Sequence, residues 1–311
     1  MKRILLPLTL LFVLILVPVA ADAERLRGVA GLEFNEDSDD IRQSRFMTNV
    51  MRSLDTAGNH RAGVGIGFDR LSEPDDTHSF RRARADYEGR LGERTMATGS
   101  VAALDGAEWS PLLGSARLSH DFVSPIYAEI AAERSYVDTI DAIEREIEID
   151  SASLSVDFGP FAGWTLVGAH TAQDFSDGNQ RDITVGRVIY DVPRWQPLLL
   201  EVRARNIRMD FDAPEYFSPE RLDERLGLVT WRRAVLDERW FLSVQAGAGR
   251  QSINSGPSET IYLGEIQWRG WFSNHWGLET GAGCRNTVNL RARDPDSYRY
   301  CQANISLLRS W

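Results

Sequence analysis

Charged side chains at every second position of a segment are the first feature of this sequence that suggests a chemistry. Arg82, Arg84, Asp86 and Glu88 show this spacing, and alternate side chains of an extended strand share one face. A guanidinium offers a planar fork of donors that matches carboxylates and hydroxyl groups, so such a face would bind hydrophilic molecules. We assign to this wall Arg82, Arg84, Asp86, Glu88, Glu129, Glu133, Arg187, Glu201, Arg203, Arg205, Glu265, Glu279 and Arg285. The same alternation also assigns Arg90, Arg225, Arg233 and Arg269 to it.

Catalysis or metal binding would be a second source of chemistry, and the sequence supports neither. The histidines, His60, His78, His120, His170 and His275, stand in separate segments and outside any recognisable nucleophile motif. Ser119 and His120 are adjacent, so their side chains point to opposite faces of a strand. Asp37-x-Asp39 lacks the glycine and distal glutamate of a helical calcium loop. We therefore expect no enzymatic activity, no cofactor and no metal site.

Extended strands are the elements that would position the wall. Ala62, Val64, Ile66 and Phe68 alternate with arginine, glycine and aspartate, and similar segments of roughly ten residues recur between turns. Short turns alternate with longer loops, which include 72–78, 137–144, 173–181 and 206–220. Aromatic residues gather near the short turns, as in membrane barrels. We predict that residues 24–311 form an all-β fold, a transmembrane antiparallel up-and-down β-barrel of about sixteen strands.

Residues 1–23 have the composition of a secretory signal peptide. Lys2 and Arg3 precede an apolar stretch from Ile4 to Val19, which is followed by Ala21-Asp22-Ala23. A positive start, an apolar core and a small-residue site predict cleavage after Ala23. The alternative is a retained anchor helix, but the stretch is short and contains prolines. The formal net charge of −10 argues against nucleic acid as a partner.

The chain ends on an aromatic residue in an alternating segment. Trp311 is preceded at every second position by Leu307, Ile305 and Ala303, with Arg309 as the exception. This resembles the terminal strand of Gram-negative outer-membrane proteins. The resemblance implies that the protein lies in the outer membrane, that Trp311 is the signal read by the barrel-assembly machinery, and that the surrounding lipids and lipopolysaccharide are partners.

A second resemblance rests on Tyr216-Phe217-Ser218-Pro219, which follows the longest predicted loop. This stretch resembles the Tyr-Phe-Ser-Pro stretch in the C-terminal barrels of exopolysaccharide-secretion proteins of the cellulose type. Their periplasmic tetratricopeptide repeats have no counterpart between the signal peptide and the barrel predicted here. The resemblance implies an export conduit for saccharides. The alternative is a loop-to-strand transition in which Pro219 ends a turn.

Cys284 and Cys301 test the register of the last two strands. When they face each other, Ala282 pairs with Ala303 on the apolar face, and Gly281 pairs with Asn304 on the polar face. This sorting predicts a cross-strand disulfide between Cys284 and Cys301, in a compartment that oxidises thiols. The alternative is two free buried thiols.

Two functional hypotheses follow from the wall. The first is a passive channel or export conduit for hydrophilic solutes, saccharides among them, since side chains alone do not fill so wide a barrel. The second is a non-conducting structural or interaction barrel whose wall charges pair across neighbouring strands. An enzyme that modifies outer-membrane lipids is the least supported alternative.

Overall fold

The alternating segments of the sequence form sixteen antiparallel strands, which pair in chain order and close into a barrel. The computed structural model describes residues 26–38, 40–195, 197–236, 238–287 and 298–311. The predicted signal peptide lies outside these residues. The strands are β1 (Leu26–Asp37), β2 (Arg42–Ser53), β3 (His60–Ser72), β4 (Thr77–Arg90), β5 (Thr95–Gly106), β6 (Leu112–Asp121), β7 (Ile126–Tyr136), β8 (Glu148–Phe161), β9 (Trp164–Phe175), β10 (Gln180–Asp191), β11 (Leu198–Met209), β12 (Arg221–Val235), β13 (Trp240–Ile253), β14 (Glu259–Trp271), β15 (Trp276–Asn286) and β16 (Arg299–Ser310).

The first and last strands pair with each other and close the sheet. Leu32 lies opposite Ile305, and the Trp311 amide donates to the Leu26 carbonyl oxygen at 3.1 Å. Closure leaves no unpaired strand edge, which is the condition for a sheet to cross a membrane. Apolar side chains are exposed on the outer face, where Val64 and Ile66 are 69% and 55% exposed. The predicted all-β barrel is confirmed.

The connections differ from the predicted ones at one rim. Loops were expected at 72–78 and 173–181, but the strands extend into them and leave turns at 73–76 and 176–179. In the second turn the Phe175 amide donates to the Asn179 carbonyl oxygen at 2.9 Å, so strand pairing continues to the turn itself. Only the connections at 137–147 and 210–220, and the one that follows Asn286, remain long at this rim.

Two of these long connections fold into the barrel instead of extending away from it. The 137–147 connection contains helix α1 (Ile140–Glu144), whose Ile140 and Ile143 are 4% and 3% exposed. These two side chains pack in a cluster with Phe80, Leu104 and Leu113 from the inner face of the barrel. No helix in the described ranges is long and apolar enough to span a membrane.

The 210–220 connection packs beside α1 in a second apolar cluster. Ala142 is fully buried there against Phe175, Met209 and Tyr216. We call the connections 137–147 and 210–220 the mouth seal, because together they cover part of the opening at this rim. The apolar spacing of Ile140 and Ile143 is therefore explained by burial inside the barrel mouth.

Candidate functional site: the polar lumen and its mouth

The strand register decides which charged residues face the lumen. Arg187 lies opposite Arg203, Arg205 opposite Glu224, and Glu279 opposite Arg269 on the inner face. The same register places all of the following on the inner face: Arg82, Arg84, Asp86, Glu88, Glu129, Glu133, Arg187, Glu201, Arg203, Arg205, Glu265, Glu279 and Arg285. Arg90 and Arg269 join them.

Two predicted wall residues lie on the opposite face. Arg225 and Arg233 are exposed on the outside of β12, because Leu226 and Leu228 take the inner positions opposite Arg203 and Glu201. The assignment of Arg225 and Arg233 to the lumen was wrong. It failed because alternation alone does not show which face of a strand is the inner one, and this part of the lumen is itself partly apolar.

One group of arginines surrounds a buried carboxylate on β11. Glu201 is 7% exposed and accepts two hydrogen bonds from Arg187, at 2.8 and 2.9 Å. Arg203 Nε lies 3.6 Å from the same carboxylate. The paired fork geometry fixes Arg187, and the shared carboxylate holds Arg203 beside it.

The neighbouring arginines of this group are less fully neutralised. Arg205 donates to Glu224 at 2.7 Å. The Arg285 side chain is exposed to the lumen, and its guanidinium carbon lies 6.0 Å from the Tyr300 ring centroid. Within the described residues Arg285 has no ion pair with a carboxylate, so its charge is available to a solute in the lumen.

A second group of charges lies on β2–β4 and was only partly anticipated. Asp69 is 1% exposed and accepts from Arg45 at 3.2 Å and from Arg82. Arg84 donates to Asp86 at 2.6 Å. Sequence reasoning missed Arg45 and Asp69, although both stand at alternate positions within alternating segments. These pairs support the interpretation that part of the wall is structural.

Amide and carboxylate side chains form the wall between these two groups of arginines. Glu33, Glu265, Glu279, Gln302 and Asn304 border a recess of about 350 Å³ on the inner face. Amides carry both donors and acceptors, so this stretch matches neutral hydroxylated molecules as well as charged ones.

The mouth seal is held by buried polar contacts as well as by its apolar cluster. The Phe175 and Tyr216 rings stack at 4.8 Å between centroids, and Tyr216 donates to Asp177 at 2.9 Å. Burial raises the pKa of the Tyr216 phenol, which therefore stays protonated as a donor. Thr139 donates to the Glu215 carbonyl oxygen at 2.7 Å and joins the two connections.

The Tyr-Phe-Ser-Pro stretch has a structural role in this seal. Ser218 is 1% exposed, and its hydroxyl accepts from the Ala213 amide at 2.7 Å. Arg181 donates to the Phe217 carbonyl oxygen at 2.9 Å. These contacts fold 210–220 inward.

A recess of about 350 Å³ lies between the mouth seal and the wall formed by β1, β2 and β16. Tyr216, Phe217, Tyr298, Asp37 and Asp138 are among its lining residues. Tyrosine faces and carboxylates are groups that contact sugar rings and hydroxyls. The seal thus narrows the mouth and leaves a polar, aromatic recess along one side.

The disulfide and its register are as predicted. Cys284 and Cys301 are bonded, Ala282 lies opposite Ala303, and Gly281 lies opposite Asn304. The free-thiol alternative is excluded. At the other end of β16, the Arg309 guanidinium lies 4.7 Å from the Trp276 ring centroid and 4.5 Å from that of Trp311. The role of Trp311 in assembly stays a prediction.

Among the residues that the structure describes, side chains able to bind a metal converge beside α1. Asp76, His78 and Glu144 place ligand atoms within 4.8 Å of one another beside α1. His78 Nε2 lies 3.6 Å from Asp76, an ion pair when the imidazole is protonated. Elsewhere, His120 contacts Thr95 and His170 contacts Thr184, at 2.8 and 3.1 Å. The absence of enzymatic activity stays a prediction.

No protein-family model matches the chain, and no curated protein matches it either. Among solved structures, a bacterial polysaccharide outer membrane secretin is similar at 13% identity and a TM-score of 0.74, over 94% of this chain and all of the other. CdiB from Acinetobacter baumannii is similar at 9% identity and a TM-score of 0.52, over 91% and 60%. The CymD monoaromatic hydrocarbon channel is similar at 10% identity and a TM-score of 0.50, over 93% and 90%. The chain therefore has the fold of the outer-membrane β-barrels.

Proposed function

We propose that the protein is an outer-membrane conduit through which hydrophilic solutes pass without covalent chemistry, and that saccharides are among those solutes. The observation that carries the proposal is the inner wall. Hydrogen-bonding side chains line the recess at Glu265 and Glu279 and the separate recess at the mouth. A barrel of sixteen strands is generally too wide for side chains alone to close it.

The similar structures support a role of this general kind. The secretin and the hydrocarbon channel carry names that refer to secretion and to a channel. At 13% and 10% identity, the secretin and the channel share only the fold with this chain. The solutes that their names refer to are therefore not assigned to it. The saccharide assignment rests instead on the amide-rich wall and on the tyrosines of the mouth recess. The link to cellulose-type secretion rests on Tyr216-Phe217-Ser218-Pro219.

The mouth seal favours a second candidate function. Ala142 and Ser218 are 0% and 1% exposed, so both parts of the seal pack as tightly as a protein interior. A barrel closed in this way would be a structural or interaction protein of the outer membrane.

Conductance separates the two functions. We expect the purified full-length protein, reconstituted in planar bilayers, to produce discrete conductance steps that dextrins reduce in a concentration-dependent way. A variant with Arg285→Gln should shift the reversal potential away from anion preference, because it loses a lumen charge that forms no ion pair with a carboxylate among the described residues. Absence of steps at either polarity would overturn the conduit and favour the structural barrel. Steps without block by dextrins would overturn the saccharide assignment.

A further inference from the structure

The outer face of β11–β13 carries a cationic patch that faces away from the lumen. We propose that Arg225 and Arg250, flanked by Arg208 and Arg221, bind the phosphate group of a phosphorylated lipid in the outer leaflet. The inference rests on the outer-membrane location given under the proposed function. It adds a lipid site on the outside of the barrel to the solute path inside it.

The core of the patch is a pair of like charges. Arg225 lies directly opposite Arg250 on the neighbouring strand, and both side chains are exposed. Side chains opposite each other in an antiparallel pair are about 5 Å apart at Cβ, and like charges there are destabilising. In the part of the chain that the structure describes, neither guanidinium forms an ion pair with a carboxylate. An external anion would remove this repulsion.

The nearest carboxylates are already engaged. Asp223 accepts from Arg221 at 2.6 Å and from Asn206 at 2.8 Å. Arg208 lies opposite Arg221 on one side and Asp182 on the other, and Asp182 lies 3.3 Å from His170. The patch therefore keeps a net positive charge.

The surface beside the patch indicates that the anion belongs to a lipid. Next to Arg225 along the strands, the outer face becomes apolar, with Val202 and Val229 at 63% and 47% exposed. Tyr262 lies opposite Ala248 and is 60% exposed at this boundary, where interfacial aromatics are found. A phosphate bound between Arg225 and Arg250 would thus place attached acyl chains on the apolar face. Free phosphate has no acyl chains, so only electrostatic attraction to the two arginines would favour its binding.

The rim also fits an outer-leaflet lipid. The patch is at the end of β12 that adjoins the 210–220 connection, and the short turns are at the other end. Outer-membrane barrels place their short turns in the periplasm. The outer leaflet contains phosphorylated glycolipid, and guanidinium is well suited to bind its phosphates.

The test compares binding of lipid A that carries both phosphates with binding of enzymatically dephosphorylated lipid A. The full-length barrel in detergent is titrated with each lipid, and bound lipid is counted by native mass spectrometry. We expect Arg225→Gln/Arg250→Gln to weaken binding of phosphorylated lipid A by roughly tenfold, equivalent to ~1.4 kcal/mol. The control Arg233→Gln/Arg239→Gln removes the same charge from exposed positions near the short-turn rim and should bind as the unmodified protein does.

Unchanged binding by the Arg225/Arg250 variant, an equal loss in the control variant, or equal binding of dephosphorylated lipid A would overturn the inference. Competition by millimolar inorganic phosphate that matches lipid A in affinity would also overturn it, because the site would then be one for free phosphate. Planar-bilayer conductance is measured separately and tests the conduit. Loss of conductance would contradict the conduit alone, and loss of selective lipid binding would contradict the lipid site alone.

Discussion

At the scale of single residues, the lumen charges divide into those that are neutralised and those that are available. Glu201 and Asp69 are 7% and 1% exposed, and each is surrounded by arginines. Arg285 is exposed to the lumen and has no such partner among the described side chains. Ion selectivity should therefore depend on a few residues, while the buried pairs hold neighbouring strands together.

Replacing the shared carboxylate tests this division. Glu201→Gln leaves Arg187 and Arg203 without their common anion, so we expect a shift of the reversal potential toward anions. It should also lower the free energy of unfolding by ~2 kcal/mol in a urea titration, since a buried charge pair is broken. Glu279→Gln removes the same charge from an exposed lumen position and should leave stability unchanged. Equal destabilisation by both variants would contradict the division.

The disulfide gives a second test at this scale. Cys284→Ser/Cys301→Ser should lower the free energy of unfolding by ~3 kcal/mol, because the bond closes a loop across a sequence separation of 17. The measurement is urea unfolding of the unmodified and variant proteins with and without reductant. Reductant should lower the stability of the unmodified protein alone. A similar loss in the variant would show that the effect is not due to this bond.

Alternation in the sequence assigns charged residues to one face of a strand but does not predict their partners on the next strand. Alternation is a property of one strand, so it found Arg187, Glu201 and Arg203 without showing which would pair. Leu226 and Leu228 reversed the assignment of β12, because an apolar residue inside the lumen is indistinguishable from one that faces lipid. Register between strands decides both questions, and register was predicted only where Cys284 and Cys301 supplied a fixed point.

At the scale of elements, the mouth seal is the main departure from the sequence prediction. Residues 137–144 and 206–220 were expected as loops, and their folding into the barrel was not foreseen. Val137, Ile140 and Ile143 do carry an apolar signal within the first of them, and Ile147 follows it. Their partners include side chains from β4, β5, β6, β9 and β11, so the direction in which they fold depends on contacts distant in sequence.

Disrupting α1 should open the mouth. Ile143→Asp places a carboxylate in the cluster formed with Phe80 and Leu113, where burial of an unpaired charge is unfavourable. We expect larger single-channel conductance and unchanged ion selectivity in planar bilayers. Glu144→Gln, at an exposed position of the same helix, is the control. Unchanged conductance in the Ile143 variant would show that α1 does not limit passage.

The mouth should also respond to pH through Glu73. Burial raises the pKa of this carboxyl, which accepts a hydrogen bond from the Ile140 backbone. Because the pKa is raised in the packed state, the ionised form of Glu73 destabilises the packing of α1. This destabilisation is lost as the pH falls through the raised pKa toward the ordinary value of 4.5. We expect conductance to decrease over this acidic range. Glu73→Gln should remove the response, whereas Asp75→Asn should retain it; the reverse would contradict the assignment.

At the scale of the whole molecule, the fold was the most predictable property. Alternating segments and turn spacing predicted a barrel of about sixteen strands, since a closed sheet imposes the same period on every strand. The function is less determined, because the same sheet can surround an open path or a closed one. The contacts of 137–147 and 210–220 with the wall decide between these outcomes.

Replacing Trp311 should impair assembly of the barrel in cells but not the stability of the folded barrel. The Trp311 amide donates to the Leu26 carbonyl oxygen, while its ring contacts Arg309. Trp311→Ala keeps the backbone bond, so we expect the refolded barrel to retain its thermal stability in detergent. In cells it should reach the outer membrane less efficiently, as measured by fractionation. Normal yield in cells would contradict the predicted role of Trp311 as an assembly signal.

The Cys284–Cys301 bond also determines the effect of a proteolytic cut in the connection between β15 and β16. A single cut anywhere between the two cysteines would break the backbone but leave the two products covalently joined. β16 would remain tied to β15 and paired with β1 at the same time. On an electrophoretic gel, nicked protein should run as one species until reductant is added and then separate into two. The connection after β15 is therefore a site where the chain can be interrupted without releasing the strand that closes the barrel.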